Sequence, residues 1–479
     1  MADYLRRRSI DVSLLQPPMG ARTPIRDADY AAWLGATQLQ DAEQTIQALR
    51  GVHFDWLIID HYALDAEWET RLRPYVSNVL VFDDLANRPH DCDLLVDQNF
   101  SIATQDRYHD LIPANCKSLV GPPFAILRPE YRQQRSNSRY RDGDVRRVLV
   151  FFGGSDPLNL TGRAIDALCD PQLRELRVEV VVGVNNPHRR SLEKSVSFRP
   201  YTQLHGTQPH LADMMARADL CIGAGGITTW ERMCVGLPSI VVSIAENQRP
   251  ACNALAEAGL IVYAGHHDTV EVADLVAEVR RALARPEELA KISRRNRLLV
   301  DGWGAQRVVE SIYPTAKDSL SLRKANPGDL EQYFLWANDP DVRAQSIQMQ
   351  PIPFENHEKW FAAKLASSDS VLYVMEAGAL PVGQIRFDRS GNEERIDYSI
   401  DKSFRGRGWA AKLVELGMLQ VPSRQDMVFR AEVKESNLRS RTVFSRLGFM
   451  ASPSEGANGL AVFRFDSSRL NVKSISKCE

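Results

Sequence analysis

The stretch CIGAGGITTWERMCVGLPSIVV, Cys221–Val242, decides the fold of the larger part of the chain. An apolar run ends in glycines, a helix-like segment follows, and Gly236-Leu237-Pro238 leads into a second apolar run. Strand, turn, helix, turn and strand in that order make a βαβ unit, and near-continuous apolar strands read as a parallel sheet buried on both faces. The same pattern recurs on either side, in DWLIID (55–60), VLVFDD (79–84), RRVLVFFGG (146–154) and LRVEVVVG (176–183). Helical segments at 41–50 and 268–284 alternate with these strands, which predicts an α/β architecture.

A polar stretch, RPEYRQQRSNSRYRDGD (128–144), has no apolar periodicity and reads as a linker between two α/β lobes. A second break, YPTAKDSL (313–320), precedes a different pattern. The strands at 371–377, 382–388 and 395–401 are amphipathic and close together, as in antiparallel hairpins, which predicts an α+β domain. The expected organisation is a first lobe over 1–142, a second over 143–316 and the α+β domain over 319–468.

Bulk properties narrow the function. The 479 residues carry a formal net charge of −2, with no basic excess of the kind a nucleic-acid binder shows. No apolar run reaches the ~20 residues of a membrane span, and residues 1–20 lack the apolar core of a secretory signal. Seven cysteines lie apart without a C-x-x-C pair, and no His/Cys cluster has zinc spacing. A cytoplasmic protein with reduced thiols and no resident metal is expected; the oligomeric state is not readable.

Three loops carry candidate chemistry. In SFRGRGWAAKLVELG (403–417) a strand leads through Arg405, Gly406, Arg407, Gly408, Trp409 and Ala410 into a helix. Backbone N–H groups at a helix start form an anion site, and the arginines add charge. In the opening stretch Gly225, Gly226 and Thr228 form a second such loop, and Gly154 and Ser155 a third. Thr228-x-x-Glu231 also fits a capping box, in which the glutamate only caps its own helix.

The loop at 403–417, followed by VFRAEVKESNLRSRTVFSRLGF (428–449), resembles the GNAT acetyltransferase superfamily over about residues 319–466. The resemblance implies acetyl-CoA as co-substrate, with its pyrophosphate in the 405–410 loop and its arm along Asn437 and Ser440. It places Glu432 where several members hold a base. The family often has a tyrosine acid seven residues after the asparagine; here that position is Phe444, which leaves Tyr398 as the candidate.

DWLIIDHYALDAEWE, VLVFDDLANRPHDCDLLVDQNF, LVFFGGSDPLNLTGRAI, GAGGITTWERMCVGLPSIVVSIAENQ and NALAEAGL together resemble the UDP-sugar hydrolases of pseudaminic acid biosynthesis, relatives of the two-lobed GT-B glycosyltransferases. The resemblance spans about residues 5–310 and implies two Rossmann-like lobes that cleave UDP-2,4-diacetamido-2,4,6-trideoxy-β-L-altropyranose. It implies UDP on Gly154, Ser155, Gly225, Gly226, Thr228 and Gln248, the ribose on Glu231, and Asn247 and Tyr62 in the catalytic centre. The family opens with G-x-G-H-x-x-R, whereas MADYLRRRSIDVSLL is similar to a strand and helix end further inside its first lobe. The expectation is a truncated first lobe and impaired hydrolysis. The implied function is bifunctional: N-acetylation of the C4 amine of a UDP-amino sugar, then hydrolysis of the product. An acetyltransferase with a UDP-binding but inactive module, and a GT-B glycosyltransferase, stay open as alternatives.

Overall fold

The computed structural model describes residues 2–16, 30–101, 107–452 and 459–470. It divides into two compact units, Met1–Val308 and Val309–Glu479.

The first unit holds two parallel sheets. One has four strands in sequential order, β1 (Phe54–Ile59), β2 (Val76–Phe82), β3 (Leu94–Asp97) and β4 (Lys117–Val120). The other has six: β5 (Arg147–Phe151), β6 (Arg177–Val181), β7 (Thr202–His205), β8 (Leu220–Ala224), β9 (Ser239–Ser243) and β10 (Val262–His266), in the order β10-β9-β8-β5-β6-β7. All pairings in both sheets are parallel. In the second sheet successive residues enter opposite cores. Val148, Val150, Ile222 and Val242 join one cluster, and Leu149, Cys221 and Val241 the other. This two-sided burial is why its strands read as continuous apolar runs. The α/β expectation holds. Strands β3, β4, β7 and β10 were not singled out in the sequence, being short or interrupted by polar residues. Among residues 2–16 a short helix forms at Ala2–Arg6, and no strand.

The apparent linker is a correction. Residues Pro129–Asn137 form a helix, and Tyr131 is buried in the core under the second sheet. The arginines that make this stretch look like a linker bond the C-terminal ends of neighbouring helices. Arg135 donates to Cys234 O (2.8 Å), Arg297 O (2.8 Å) and Val300 O (3.1 Å). Arg141 donates to Val235 O (2.6 Å), Met215 O (2.8 Å) and Ala218 O (3.0 Å). Helix ends leave carbonyls without intrahelical partners, and buried guanidiniums supply the missing donors.

The second unit is α+β, as expected. Its sheet runs β11 (Leu320–Lys324), β12 (Ser370–Ala377), β13 (Leu380–Ser390), β14 (Glu393–Ile400), β15 (Val428–Lys434), β17 (Leu460–Asp466), β16 (Met450–Ser452). All pairs are antiparallel except β14 with β15. That parallel pair is matched only from Glu393–Arg395 to Val428–Arg430. Beyond it the strands part, and β14 faces the gap with backbone groups that have no strand partner on that side among the described residues. No helix among the described residues is long and apolar enough to cross a membrane.

Candidate functional site

In the second sheet the strand order reverses between β5 and β8, which pair directly (Val148 with Leu220, Phe151 with Gly223). Loops leaving the carboxyl ends of strands at such a switch point form the ligand crevice of open α/β sheets. The two glycine loops of the sequence analysis leave these two strands, so the fold brings them side by side.

Their residues divide into packing and binding groups. Gly225 donates its N–H to Val242 O (3.2 Å), and a Cβ there would stand 2.5 Å from Cys252 Sγ. It is a glycine for close packing. A Cβ on Gly226 would reach only Gln248 Nε2, at 3.5 Å. Gln248 in turn accepts from Ile244 N (2.9 Å), a bond within its own loop that fixes the carboxamide beside Gly226. Asn247 caps the helix Gln248–Glu257 through its backbone alone, and its side chain is exposed. In the other loop, Asp156 accepts from Leu160 N (3.0 Å) and Thr161 N (2.9 Å). Its own carboxylate therefore occupies that helix start, leaving Gly154 and Ser155 as the open part of the loop. Gly154 O runs so close to Gly183 that a Cβ on Gly183 would lie 2.0 Å from it.

The capping box does not form. The N-cap of the helix Thr228–Cys234 is Ile227, without a side-chain cap bond, and Thr228 is already helical. Glu231 turns instead toward Tyr131, Arg128 and His210, and burial pushes its carboxyl up. Tyr131, missed in the apparent linker, becomes its hydroxyl partner while also accepting from Leu211 N (3.2 Å).

At the carboxyl ends of the first sheet, Tyr62 packs against Tyr30 (ring centroids 4.8 Å apart) with its hydroxyl facing Asp84. Burial, that carboxylate and its hydrogen bond push the phenol well above its usual range. Burial also raises Asp84. Its Oδ2 accepts from Asn99 Nδ2 (3.1 Å), and its Oδ1 has no hydrogen-bond partner among the described residues. Asp84 was not singled out in the sequence, although two aspartates ending an apolar strand were a usable signal. Phe100, just past β3, packs on the core under the second sheet, so this edge adjoins the second lobe. His266 ends β10 with Nδ1 2.9 Å from Ser243 Oγ and Nε2 3.5 Å from Glu246 in the ENQ loop.

Beneath Asp84 lies a buried charge network. His90 Nδ1 is 2.7 Å from Glu69 Oε1, and Asp83 Oδ1 takes Arg88 Nη1 at 2.7 Å. Burial alone works downward on His90, but hydrogen bonds and charge from Asp83 and Glu69 outweigh it and hold the imidazole up at about 9. A raised imidazole stabilises fully below its unfolded pKa, and the contribution is lost as pH rises through about 9. Urea unfolding should therefore show a loss of up to ~3 kcal/mol between pH 6.5 and 9 that His90→Gln abolishes. An unchanged pH dependence in that variant would remove His90 as its cause.

In the second unit, Gly406 (φ +84°) and Gly408 (φ +74°) hold left-handed conformations, and a Cβ on either meets nothing within 4 Å. Gly408 is the N-cap of the helix Trp409–Gln420, with Ala410 in its first turn. The open backbone cradle fits a pyrophosphate. The arginines and Trp409 have partners within the protein. Arg405 pairs with Asp339 (2.7 Å) and Asp341 (2.8 Å) and donates to Ile400 O. Arg407 pairs with Glu310 (2.6 Å). Trp409 is buried and stacked on Phe404. These side chains brace the loop, and its backbone is what remains to face an anion.

Glu432 is also engaged: Arg395 (2.8 Å) and Arg430 (2.9 Å) each hold one carboxylate oxygen. Both of its oxygens are thus held by arginines of the same sheet. Asn437 uses its carboxamide to cap the helix Leu438–Arg446 by accepting from Ser440 N (3.1 Å). Phe444 is core, against Phe449 and Phe463. Tyr398, on β14, donates to Ser440 Oγ (3.0 Å), and burial pushes its phenol up to about 12.

Residues 319–450 match the family model described as the acetyltransferase (GNAT) domain. The chain is 24% identical over 217 residues to the UDP-2,4-diacetamido-2,4,6-trideoxy-β-L-altropyranose hydrolase of Campylobacter jejuni, covering 45% of this chain and 76% of that protein. It is 24% identical over 273 residues to the spore coat polysaccharide biosynthesis protein SpsG of Bacillus subtilis, covering 57% and 80%. An uncharacterized protein of Methanocaldococcus jannaschii is 23% identical over 433 residues, covering 85% and 84%. Among solved structures, spermidine N-acetyltransferase from Vibrio cholerae in complex with CoA and spermine is 16% identical, with a TM-score of 0.28, over 32% of this chain and 98% of that one.

Proposed function

We propose that this chain, whose C-terminal unit carries a GNAT acetyltransferase domain, is a bifunctional enzyme of sugar-nucleotide metabolism. One unit N-acetylates the C4 amine of a UDP-amino sugar. The other hydrolyses the acetylated product, UDP-2,4-diacetamido-2,4,6-trideoxy-β-L-altropyranose, to UDP and free sugar, as in pseudaminic acid biosynthesis. The observation that carries the reading is the presence on one chain of a switch-point crevice with two glycine loops and of a parted strand pair beside an open glycine cradle.

Acetyl-CoA supplies an activated acetyl group. The 405–410 backbone and the helix Trp409–Gln420 hold the pyrophosphate, and Ser440 and Asn437 line the arm. Free N–H groups of β14 polarise the thioester carbonyl in the gap. Tyr398, relayed through Ser440, is the proton donor to the leaving thiolate. Its removal as Tyr398→Phe should slow acetyl transfer about 10- to 100-fold with little change in the KM for acetyl-CoA; an unchanged kcat would exclude it.

In the hydrolase unit the open N–H groups around Gly226 and Thr228, with Gly154 and Ser155, receive the diphosphate, and Glu231 the ribose. Water attacks the anomeric carbon, and UDP leaves with its charge stabilised by the loop. Asn247 and Tyr62 orient the sugar, and Asp84 takes the proton from water.

The deciding experiment incubates the full chain with the UDP-4-amino sugar and follows two products separately. N-acetylation without acetyl-CoA-independent background, followed by UDP release from the acetylated sugar, is the expected result. Acetylation without UDP release would reduce the first unit to a binding module. UDP release only on adding a second sugar or lipid acceptor would make it a glycosyltransferase.

A further inference from the structure

Beneath the Gly225–Thr228 loop lies a charge that the scheme above does not use. Arg232, in the second turn of the helix Thr228–Cys234, is 0% exposed. Its side chain runs back under the loop. Nη2 donates to Ala224 O (2.8 Å) and Thr229 Oγ1 (2.9 Å), and Nη1 to Thr228 Oγ1 (3.4 Å). Gly223 makes room for it, since a Cβ there would stand 3.0 Å from Nη1.

The surroundings do not neutralise this cation. The neighbouring thiols of Cys221 and Cys252 are pushed up by burial, so they stay protonated. Arg232 Nε has no hydrogen-bond partner among the described residues. The adjacent carboxylate of Glu231 feels the guanidinium, yet its hydrogen-bond partner is Tyr131 and no ion pair joins it to Arg232 among the described residues. A buried guanidinium without a carboxylate partner is costly unless an anion compensates it. One backbone layer separates it from the crevice where the diphosphate is placed.

The geometry points to Arg232 as the countercharge of the bound diphosphate, acting through the loop as a positioning residue. By donating to the Thr228 hydroxyl oxygen it leaves that hydroxyl's proton directed to a phosphate oxygen, and a donor chain polarised by a cation strengthens each of its bonds. By holding Ala224 O it fixes the strand end from which Gly226 and Thr228 present their N–H groups. In the low-dielectric interior its field reaches the phosphates with little screening. The inference rests on the UDP reading of this loop and adds a selectivity: the crevice gains affinity with each phosphate charge.

Calorimetric titration of the full chain with UDP and with UMP tests it. Arg232→Met should weaken UDP binding by about tenfold or more and UMP binding by clearly less, while Arg232→Lys, which keeps the charge but not the forked donors, should weaken UDP binding by several-fold less than Arg232→Met. Thermal unfolding of each variant checks that it is folded, and if the methionine variant is not, Arg232→Gln takes its place. Equal factors for UDP and UMP in the charge-removing variant, or a lysine variant as weak as that one, would overturn the countercharge while leaving the UDP reading intact. Failure of the parent chain to bind UDP would overturn the UDP reading itself, and the countercharge with it.

Discussion

Gly408→Val should lower kcat/KM for acetyl-CoA by about 100-fold, equivalent to ~2.7 kcal/mol, and leave UDP release unchanged. Two effects combine. Gly408 sits at φ +74°, where a residue with a Cβ pays ~1–2 kcal/mol and a β-branched one more. It also precedes the helix Trp409–Gln420, whose first N–H groups are the donors left for a pyrophosphate once Arg405 and Arg407 are tied to Asp339, Asp341 and Glu310. Gly408→Asn separates the two effects. Asparagine tolerates the left-handed region, so the loop keeps its shape, but its side chain enters the open space that a Cβ on Gly408 would enter without touching protein. An asparagine variant with normal acetyl-CoA affinity would show that the open side of the loop faces solvent and holds no phosphate.

The second large effect concerns Asp84. Asp84→Asn should cut UDP release by about 10²- to 10⁴-fold, the usual worth of a general base, with acetyl transfer untouched. The pH sign follows from its environment. Burial raises this carboxyl, and a base works deprotonated, so parent activity should climb as pH rises through that raised value. The asparagine variant should lose that acid limb. A raised carboxyl destabilises the folded state increasingly as pH rises past its unfolded pKa, so neutralising it should not lower stability at pH 7. The amide oxygen can still accept from Asn99, whose Nδ2 now donates to Asp84 Oδ2. A variant that folds, keeps the Tyr62 packing and retains UDP release within about threefold of the parent would sink the assignment, because loss of a base costs far more.

Much of this was legible before any tertiary structure. The parallel sheets announced themselves because strands buried on both faces must be apolar at nearly every position, as in Cys221–Ala224 and Val148–Phe151. The hairpins of the second unit showed through their alternation, and the glycine cradle at 406 and 408 through its composition. What the sequence left hidden depends on who stands opposite. Arg135 and Arg141 look like linker residues until three helix C-termini converge on them. Glu432 reads as a lone carboxylate until Arg395 and Arg430 are seen to hold its two oxygens.

The sequence by itself determined the layers of the two units and the glycine loops between strand and helix, because periodicity and glycine placement are local consequences of strand, helix and turn geometry. Only the tertiary structure decided which of the loop residues are free. It showed that Gly225 packs against Cys252, that Arg405 and Arg407 brace the loop, and that Glu231 meets Tyr131 instead of capping its helix. It also placed a buried guanidinium, Arg232, without an ion pair among the described residues, beneath the glycines of the opening stretch. The physical reason is that a charged side chain's role is set by the partners and the solvent it loses on folding, and those partners come from segments distant in the chain.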